Sequence, residues 1–347
     1  MNGMIDWADP KRTDVIHFVM VDPNNLDNAY GDIDDVQLGS STITYGYYTD
    51  TRYSSRITFL KDNNYVRNAW IRIVHEVPAE GYSNELGTFV PTSPDVQYNG
   101  AVMESYTLQS PLWAMMNDLT TASFSIGKGT SFVSAFERVC DTCKRPYILQ
   151  NPNDWMAQQA VVYEAGTSYF DIISDIASAT NNNIELDGHG RITLSPLSDM
   201  RYLSPSWDID ADSSRSIVIQ GSIRMEPDAE EIPNRIIVVG GAYVGVADLP
   251  DGSEYSAAQR GYVKAEKYSG SGVKDSAQAK SLAKAYLDSY AKVTQWSMTT
   301  LYFPAKCGEN VRFTLDGKKH ICMIQSIDPV DLDTMTMKIT LREVTDG

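Results

Sequence analysis

The chain has 347 residues, more than one ordinary hydrophobic core organises, so two or three domains are expected. Its 42% hydrophobic and 21% charged residues are ordinary globular usage, which excludes bulk disorder. Forty-five acidic against 29 basic residues give a formal charge of −16, which excludes a protein that grips nucleic acid by neutralising phosphates. No stretch approaches the ~20 continuous apolar residues of a membrane-crossing helix, so no membrane insertion is expected. The opening MNGMIDWADPKR lacks the basic-then-apolar order of a signal peptide, so synthesis in a cytoplasm with four reduced cysteines is the expectation. Twenty tyrosines against nine phenylalanines suit half-exposed strands and wet interfaces.

The first third reads as strands. Val15 to Met20, Arg52 to Leu60, Trp70 to Val77 and Val96 to Leu108 are β-rich runs separated by Asn, Asp, Gly and Pro clusters. In the third run Trp70, Arg72 and Val74 alternate with Ile71, Ile73 and His75, so both faces carry apolar residues and both are expected to be covered. Pro111 opens a short segment, and the period then becomes helical. Phe132, Ala135, Phe136, Val139, Cys140 and Cys143 predict a helix over Thr130 to Lys144, with Thr130 as N-cap. A second helix spans Ser168 to Thr180, with Tyr169, Ile172, Ile173, Ile176 and Ala177 on one face, and stops at Asn181 to Asn183. A hairpin follows: Ile184 to Leu186, the turn Asp187-Gly188-His189-Gly190, then Arg191 to Leu194. These elements form a compact α/β block of roughly ninety residues.

Strands return at Ser216 to Met225 and Arg235 to Val239. From Gly245 to Gly272 the abundance of Gly, Ser and Asp predicts loop, with one strand near Gly261 to Glu266. The clearest helix begins at Asp275, with Ala279, Leu282, Ala283, Tyr286, Leu287 and Tyr290 as its apolar face and Asp275 with Gln278 as a capping box. The end is strand: after a turn at Asp316-Gly317, Met335, Met337, Ile339 and Leu341 alternate with Thr336, Lys338, Thr340 and Arg342. No internal repeat or low-complexity tract is present.

The chemistry-bearing residues read as structural. Cys140 and Cys143 form a CxxC, but both fall on an apolar helix stripe, and Cys307 and Cys322 form no second pair, so core packing is expected. His17, His75, His189 and His320 show no metal-ligand spacing. A Ser/His/Asp triad needs only to meet in space, yet no GxSxG elbow precedes a helix. Asp32 and Asp34, Asp208 and Asp210, and Asp228, Glu230 and Glu231 could line a glycosidase cleft, but their charged, loop-like setting reads as solvated surface. Gly127 and Gly129 resemble a phosphate loop, but Ala122 and Gly129 stand where the motif needs other residues, so a turn leading into the helix is expected. Trp7, Trp155 and Trp207 are candidate glycan-stacking aromatics, with packing as the ordinary alternative. No catalytic, cofactor-binding or metal-ligating residue is expected.

Several stretches carry a family resemblance. They are Tyr53 to Leu60 with Trp70-Ile-Arg-Ile-Val74, and Leu86-Gly-Thr-Phe-Val90 with Tyr98 to Gln109 and Pro111-Leu112-Trp113. Gly166 to Ile173 with Ile184 to Pro196 is the most specific, followed by Ile232 to Val239, the helix from Asp275 to Tyr290, and Gly308-Glu-Asn-Val311. In that order, over roughly residues 40–345, the chain resembles the tail hub family of tailed phages. That family is typified by the baseplate hub of contractile tails. It includes siphophage minor tail proteins whose N-terminal part is often fused to a tail-associated lysin.

The resemblance implies an α+β fold: two β-barrel-like tube domains with an inserted small α/β module. Residues 1–118 would form the first barrel, 119–212 the module, and 213–347 the second barrel with one long helix at about 275–291. It implies a structural virion protein of the tail tip, not an enzyme and without cofactors. As a homotrimer it would present six barrels to a six-fold tail tube, adapt that tube to a three-fold tip, and form part of the DNA channel. The implied partners are a distal tail protein or tail tube hexamer, a tape measure protein, and a tail fibre or tip protein, with no sequence-specific nucleic-acid binding. Any lysin is expected on another chain, and Met1 to Arg12 reads as an arm that orders against a neighbour. A glycan-binding tip protein and a cell-wall hydrolase are the alternatives, and a tailocin could use the same hub.

Overall fold

The computed structural model describes residues 5–47, 49–60, 68–99, 101–197, 203–227, 232–253, 255–269, 273–290 and 294–344. The chain opens with β1 (Val15–Asp22), β2 (Asn25–Asp32), β3 (Thr42–Gly46), β4 (Tyr53–Leu60), β5 (Trp70–Val77), β6 (Tyr82–Asn99) and β7 (Ala101–Gln109). The middle holds α1 (Pro111–Asn117), β8 (Phe124–Ile126), α2 (Phe132–Thr142), β9 (Tyr147–Leu149), β10 (Val161–Tyr163), α3 (Tyr169–Thr180), β11 (Asn182–Leu186) and β12 (Ile192–Pro196). Then come β13 (Trp207–Asp210), β14 (Arg224–Pro227), β15 (Arg235–Gly240), β16 (Tyr243–Asp248), α4 (Ala257–Arg260), β17 (Ala265–Ser269) and α5 (Ser276–Tyr290). Strands β18 (Thr294–Leu301), β19 (Asn310–Leu315), β20 (Lys318–Asp331) and β21 (Thr336–Glu343) close it. The α+β class is as expected from the sequence.

Thirteen strands from both ends of the chain form one sheet, in the order β14-β18-β21-β20-β3-β4-β7-β6-β5-β1-β2, with β13 and β19 branching from β20. The seam is the antiparallel pair β3 and β20, where Ile43 faces Val330 and Tyr45 faces Ile327. The apolar alternation on these strands feeds one shared core. Phe59, Ile57, Ile43 and Phe89 from the first part pack in the same cluster as Phe313, Ile327, Ile339 and Leu341 from the last. Each large side chain buried this fully contributes about 1.5–3 kcal/mol. Among the described residues no pairing closes this sheet into a barrel. Strand β5 lies between β1 and β6, and Trp70, Ile71, Ile73 and His75 are buried on its alternating faces, as the two-sided pattern predicts.

The middle module has its own core around Phe136, Ile172, Ile176 and Leu194. Ser131, not the expected Thr130, caps α2 by accepting from the Ser134 N–H at 3.0 Å. Ser168 caps α3 likewise, and Asn181 ends it in the left-handed conformation at φ 54°, ψ 45°. The Asp187 to Gly190 turn docks the module onto β6. A Cβ on Gly188 would lie 2.6 Å from the Glu85 carbonyl oxygen, and one on Gly190 would lie 2.9 Å from the Thr88 Cβ. The Thr88 hydroxyl donates to the Gly188 carbonyl at 2.9 Å, and Arg52 Nε donates to that of Ile184 at 3.0 Å.

Residues 235–287 form a third unit with a separate core of Ile236, Val238, Ala279, Ala283 and Leu287. Strand β15 is central, antiparallel to β16 and parallel to β17. Helix α5 starts with Gln278 N–H donating to Asp275 Oδ1 at 2.7 Å and Lys274 N–H to Gln278 Oε1 at 2.8 Å, close to the expected capping box.

Three local expectations are corrected. The run read as one strand from Val96 to Leu108 is a hairpin, with Asn99 opposite Ala101. The strand expected over Ser216 to Met225 begins only at Arg224. Before it, pairing with β18 is reduced to one bridge between Val218 and Thr300, with Ile219 N–H donating to the Thr299 carbonyl and Leu301 N–H to that of Ile217, while the Ser216 and Ser222 hydroxyls accept from Val218 and Thr299 N–H. The loop expected from Gly245 contains most of β16. Its glycine is a packing requirement, since a Cβ there would lie 2.1 Å from the Ala279 carbonyl carbon of α5.

Ile327 is 1% exposed at the seam. Ile327→Ala is expected to lower the unfolding free energy in urea by about 2–5 kcal/mol. A loss under about 1 kcal/mol would show that the seam is not part of the cooperative core.

Candidate functional site

The sequence candidates do not converge. Cys140 and Cys143 sit in the module core, where burial pushes the Cys143 thiol up to about 11 and Cys140 higher still. Burial likewise raises Cys307 and Cys322 to about 12, so all four stay protonated thiols near neutral pH, poor as nucleophiles or ligands. Each histidine meets a different carboxylate: His17 and Glu76 at 3.4 Å, His75 and Asp14 at 2.6 Å, His189 and Glu85 at 3.1 Å, His320 and Glu343 at 2.9 Å. Asp208 pairs with Arg312 at 2.7 Å, Asp210 accepts from Asp212 N–H at 3.0 Å, and Asp32 and Asp34 are exposed. Asp228, Glu230 and Glu231 lie outside the described residues. Among those described, no group of three or more His, Cys, Asp or Glu is placed to hold a metal ion.

Gly127 and Gly129 form a turn that leads into α2. Thr130 N–H donates to the Gly127 carbonyl at 3.0 Å and Gly129 N–H to that of Ala157 at 2.8 Å, so these amides serve the protein's own backbone.

An aromatic cluster around the buried His75 and Tyr302, not anticipated from the sequence, fixes the N-terminal segment. Trp7 meets Tyr82 edge-on at 5.4 Å and Tyr302 at 6.1 Å, and Arg12 donates to the Trp7 carbonyl at 2.8 Å. The described part of the expected arm therefore folds onto its own sheet, while Met1 to Met4 lie outside the described residues. His75 is fully buried beside Tyr302 at 4.8 Å and donates through Nε2 to Asp14. Burial alone would raise the Asp14 carboxyl, but hydrogen bonds from His75 and Arg12 outweigh it and hold it below the usual range. No periodicity marks this cluster, because its members come from separate segments.

Of the three tryptophans singled out, Trp7 is packed as above. Trp207 Nε1 donates to Glu309 Oε2 at 2.9 Å, and its ring lies 5.0 Å from Phe303. Trp155 is 39% exposed. It lines a groove of about 450 Å³ between the middle module and the third unit, with Met156 and Gln159 on one side and Tyr243, Val273 and Lys274 on the other. The Lys274 ammonium lies 5.5 Å from the Trp155 ring centroid. Asp154, at the same groove, accepts from Ser131 Oγ at 2.7 Å and Val133 N–H at 3.1 Å, which fixes its carboxylate at the start of α2.

No protein-family model and no curated protein sequence matches the chain. Solved structures do match. A tail protein from Neisseria meningitidis aligns with a TM-score of 0.68 at 12% identity, covering 94% of this chain and 96% of that one. The chain has a phage tail-protein fold. The 43 kDa tail protein of prophage MuSo2 from Shewanella oneidensis shares the fold with a TM-score of 0.61 at 11% identity, covering 94% and 97% of the two chains. A Francisella PdpA-VgrG complex matches with a TM-score of 0.56 at 10% identity over 97% of this chain and 59% of that one. Near-complete coverage in both directions with the tail proteins means that the tail-protein fold includes the middle module and the third unit.

The depressed Asp14 carboxyl sets a pH dependence. Its contribution to stability is complete above the unfolded value of about 4 and is lost as pH falls through the lower folded value. Asp14→Asn is expected to lower stability at pH 7 and to flatten the acid side of the stability profile, read by urea unfolding at stepped pH. An unchanged profile would remove Asp14 from this role.

Proposed function

We propose that the chain is a structural hub at the distal end of a phage tail tube. It acts as a homotrimer that adapts a six-fold tube to a three-fold tip and lines part of the DNA channel. The observation that carries this reading is the tail-protein fold, matched over 94% of the chain and 96% of a solved tail protein. In this reading residues 1–118 and 213–347 are the tube-forming parts and 119–212 is the inserted module, and the seam between β3 and β20 holds the first and last together. The partners are a distal tail protein or tube hexamer, a tape measure protein, and a fibre or tip protein, all in the virion tail. The charge of −16 suits a channel from which the genome must slide without sticking. No catalytic step is assigned: the four histidines meet four different carboxylates at separate places.

Light scattering across a dilution series, alone and with the tube protein, tests the ring. A mass near three times 38.5 kDa is expected. A strict monomer under both conditions contradicts the trimer.

A second reading, a tip protein that binds host glycans, is favoured by one observation: Trp155 is exposed in a groove with Tyr243 and Gln159, the stacking and amide groups that a sugar ring uses. On a glycan array the wild type is then expected to bind and Trp155→Ala to lose at least about tenfold in affinity, or 1.4 kcal/mol. Absence of wild-type binding excludes this reading.

A further inference from the structure

The middle module repeats itself. Gly129-Thr-Ser131 ahead of α2 recurs as Gly166-Thr-Ser168 ahead of α3, 37 residues later. Between residues 118–149 and 155–186, Leu149 and Leu186 supply the one further identity at that spacing, so residue types alone show no repeat. The backbone keeps the spacing throughout. Gly129 and Gly166 take φ of 78° and 91°, and Lys144 and Asn181 close the two helices at φ 54° each. Ser131 Oγ accepts from Ser134 N–H and Ser168 Oγ from Asp171 N–H, both at 3.0 Å. The core-facing residues of α2 are Phe132, Ala135, Phe136, Val139 and Cys140. They fall at the positions of Tyr169, Ile172, Ile173, Ile176 and Ala177 on α3.

The pairings place a pseudo-twofold axis between the two copies. In the β8 and β10 ladder Ser125 lies opposite Val162, its own equivalent, with Phe124 opposite Tyr163 and Ile126 opposite Val161. Strands β9 and β11 flank β12 in opposite directions, and their equivalent residues cross over. Ile192 lies between Tyr147 and Leu186, Leu194 between Leu149 and Ile184, and Thr193 between Ile148 and its equivalent Glu185. The axis therefore runs between Ser125 and Val162 and through Thr193. About it, each copy gives its leading segment to the other. Met156 bridges to Ser131, and Leu119 to Ser168. Phe132 N–H donates to the Trp155 carbonyl and Tyr169 N–H to that of Asp118, both at 3.1 Å. Gly129 N–H donates to the Ala157 carbonyl and Gly166 N–H to that of Thr120, both at 2.8 Å.

We infer that the middle module is an internal duplication: two strand-turn-helix copies interlocked about a pseudo-twofold axis, with β12 as the shared strand on that axis. A unit under ~40 residues rarely holds a core alone. Exchange of the leading segments means that separating the copies breaks both helix entries at once. The duplicated segment then serves two ends. Residues 118–119 run on from α1, whereas residues 155–156, held by the turn of the first copy, present Trp155 to the groove. The inference is independent of the hub reading.

The test uses the full chain. Phe132→Tyr, Ala135→Ile, Phe136→Ile, Val139→Ile and Cys140→Ala give α2 the core face of α3. Tyr169→Phe, Ile172→Ala, Ile173→Phe, Ile176→Val and Ala177→Cys do the reverse. Either set alone misfits one side of the interior and is expected to lower the thermal midpoint. Both sets together rebuild the same interior turned by half a revolution, so the midpoint is expected to rise above that of either set. A full exchange that melts no higher than the half exchanges, as independent defects would add, overturns the duplication. If the exchanged chains do not fold, hydrogen exchange of the wild type decides alone. The Thr120, Gly129, Ala157 and Gly166 amides are expected to open in one event with the same denaturant dependence. Entry amides of one copy that open while those of the other stay protected overturn the interlock.

Discussion

The structure depends on one strand pairing between the two ends of the chain. Strand β3 and strand β20 lie side by side, and Thr44 Oγ1 donates to Asp328 Oδ1 at 2.8 Å across 284 residues of sequence. Closing so long a loop costs conformational entropy, though the cost grows only slowly with length. Burial of Ile43, Ile57, Phe59, Ile327 and Ile339 in a common core offsets it. The Trp7, His75 and Tyr302 cluster adds a second clasp between the same ends, and Arg215 pairs with Asp6 nearby. Two strand-rich regions from opposite ends of the chain thereby share one sheet and one core.

The other units hang from this body by different means. The middle module is seated through a turn whose glycines admit no side chain, with hydrogen bonds from Thr88 and Arg52 to its backbone. Such backbone contact leaves little room for rocking. The third unit instead keeps its own small core, and its contact with the middle module is a groove rather than a packed surface. The proposed hub role would use both kinds of attachment: a stiff body for the tube, and surfaces left open for neighbours.

Much of this was legible in the sequence where a local rule and the tertiary fold agree. The two-sided apolar pattern of Trp70 to Val77 marks a central strand, Ser168 and Asn181 bracket α3, and Asp275 with Gln278 starts α5. Asp316 and Gly317 both take positive φ, as a two-residue hairpin turn requires. Legibility failed where the decisive partner is distant. Gly245 reads as a loop residue until the α5 backbone is seen against it, and the run before Arg224 reads as a full strand although only Val218 bridges to Thr300 and serine hydroxyls take the neighbouring amides. The seam itself leaves no local mark, because β3 and β20 each look like any half-buried strand. Among the site candidates, the burial of Cys140 and Cys143 follows from helical periodicity. Which tryptophan stays exposed does not, since Trp155 differs from Trp7 and Trp207 only in what the fold brings beside it.

The central claim is that strands from both ends of the chain unfold as one body. Native-state hydrogen exchange across a denaturant series measures this directly at residues 42–46 and 326–331. The account predicts that these seam amides open only in the same event, with the same denaturant dependence, as those of β5 and of β21. Seam amides that exchange at low denaturant, while both flanking regions stay protected and then open separately, would show two independent domains in loose contact. That result would contradict the claim that the two ends of the chain form one cooperative body.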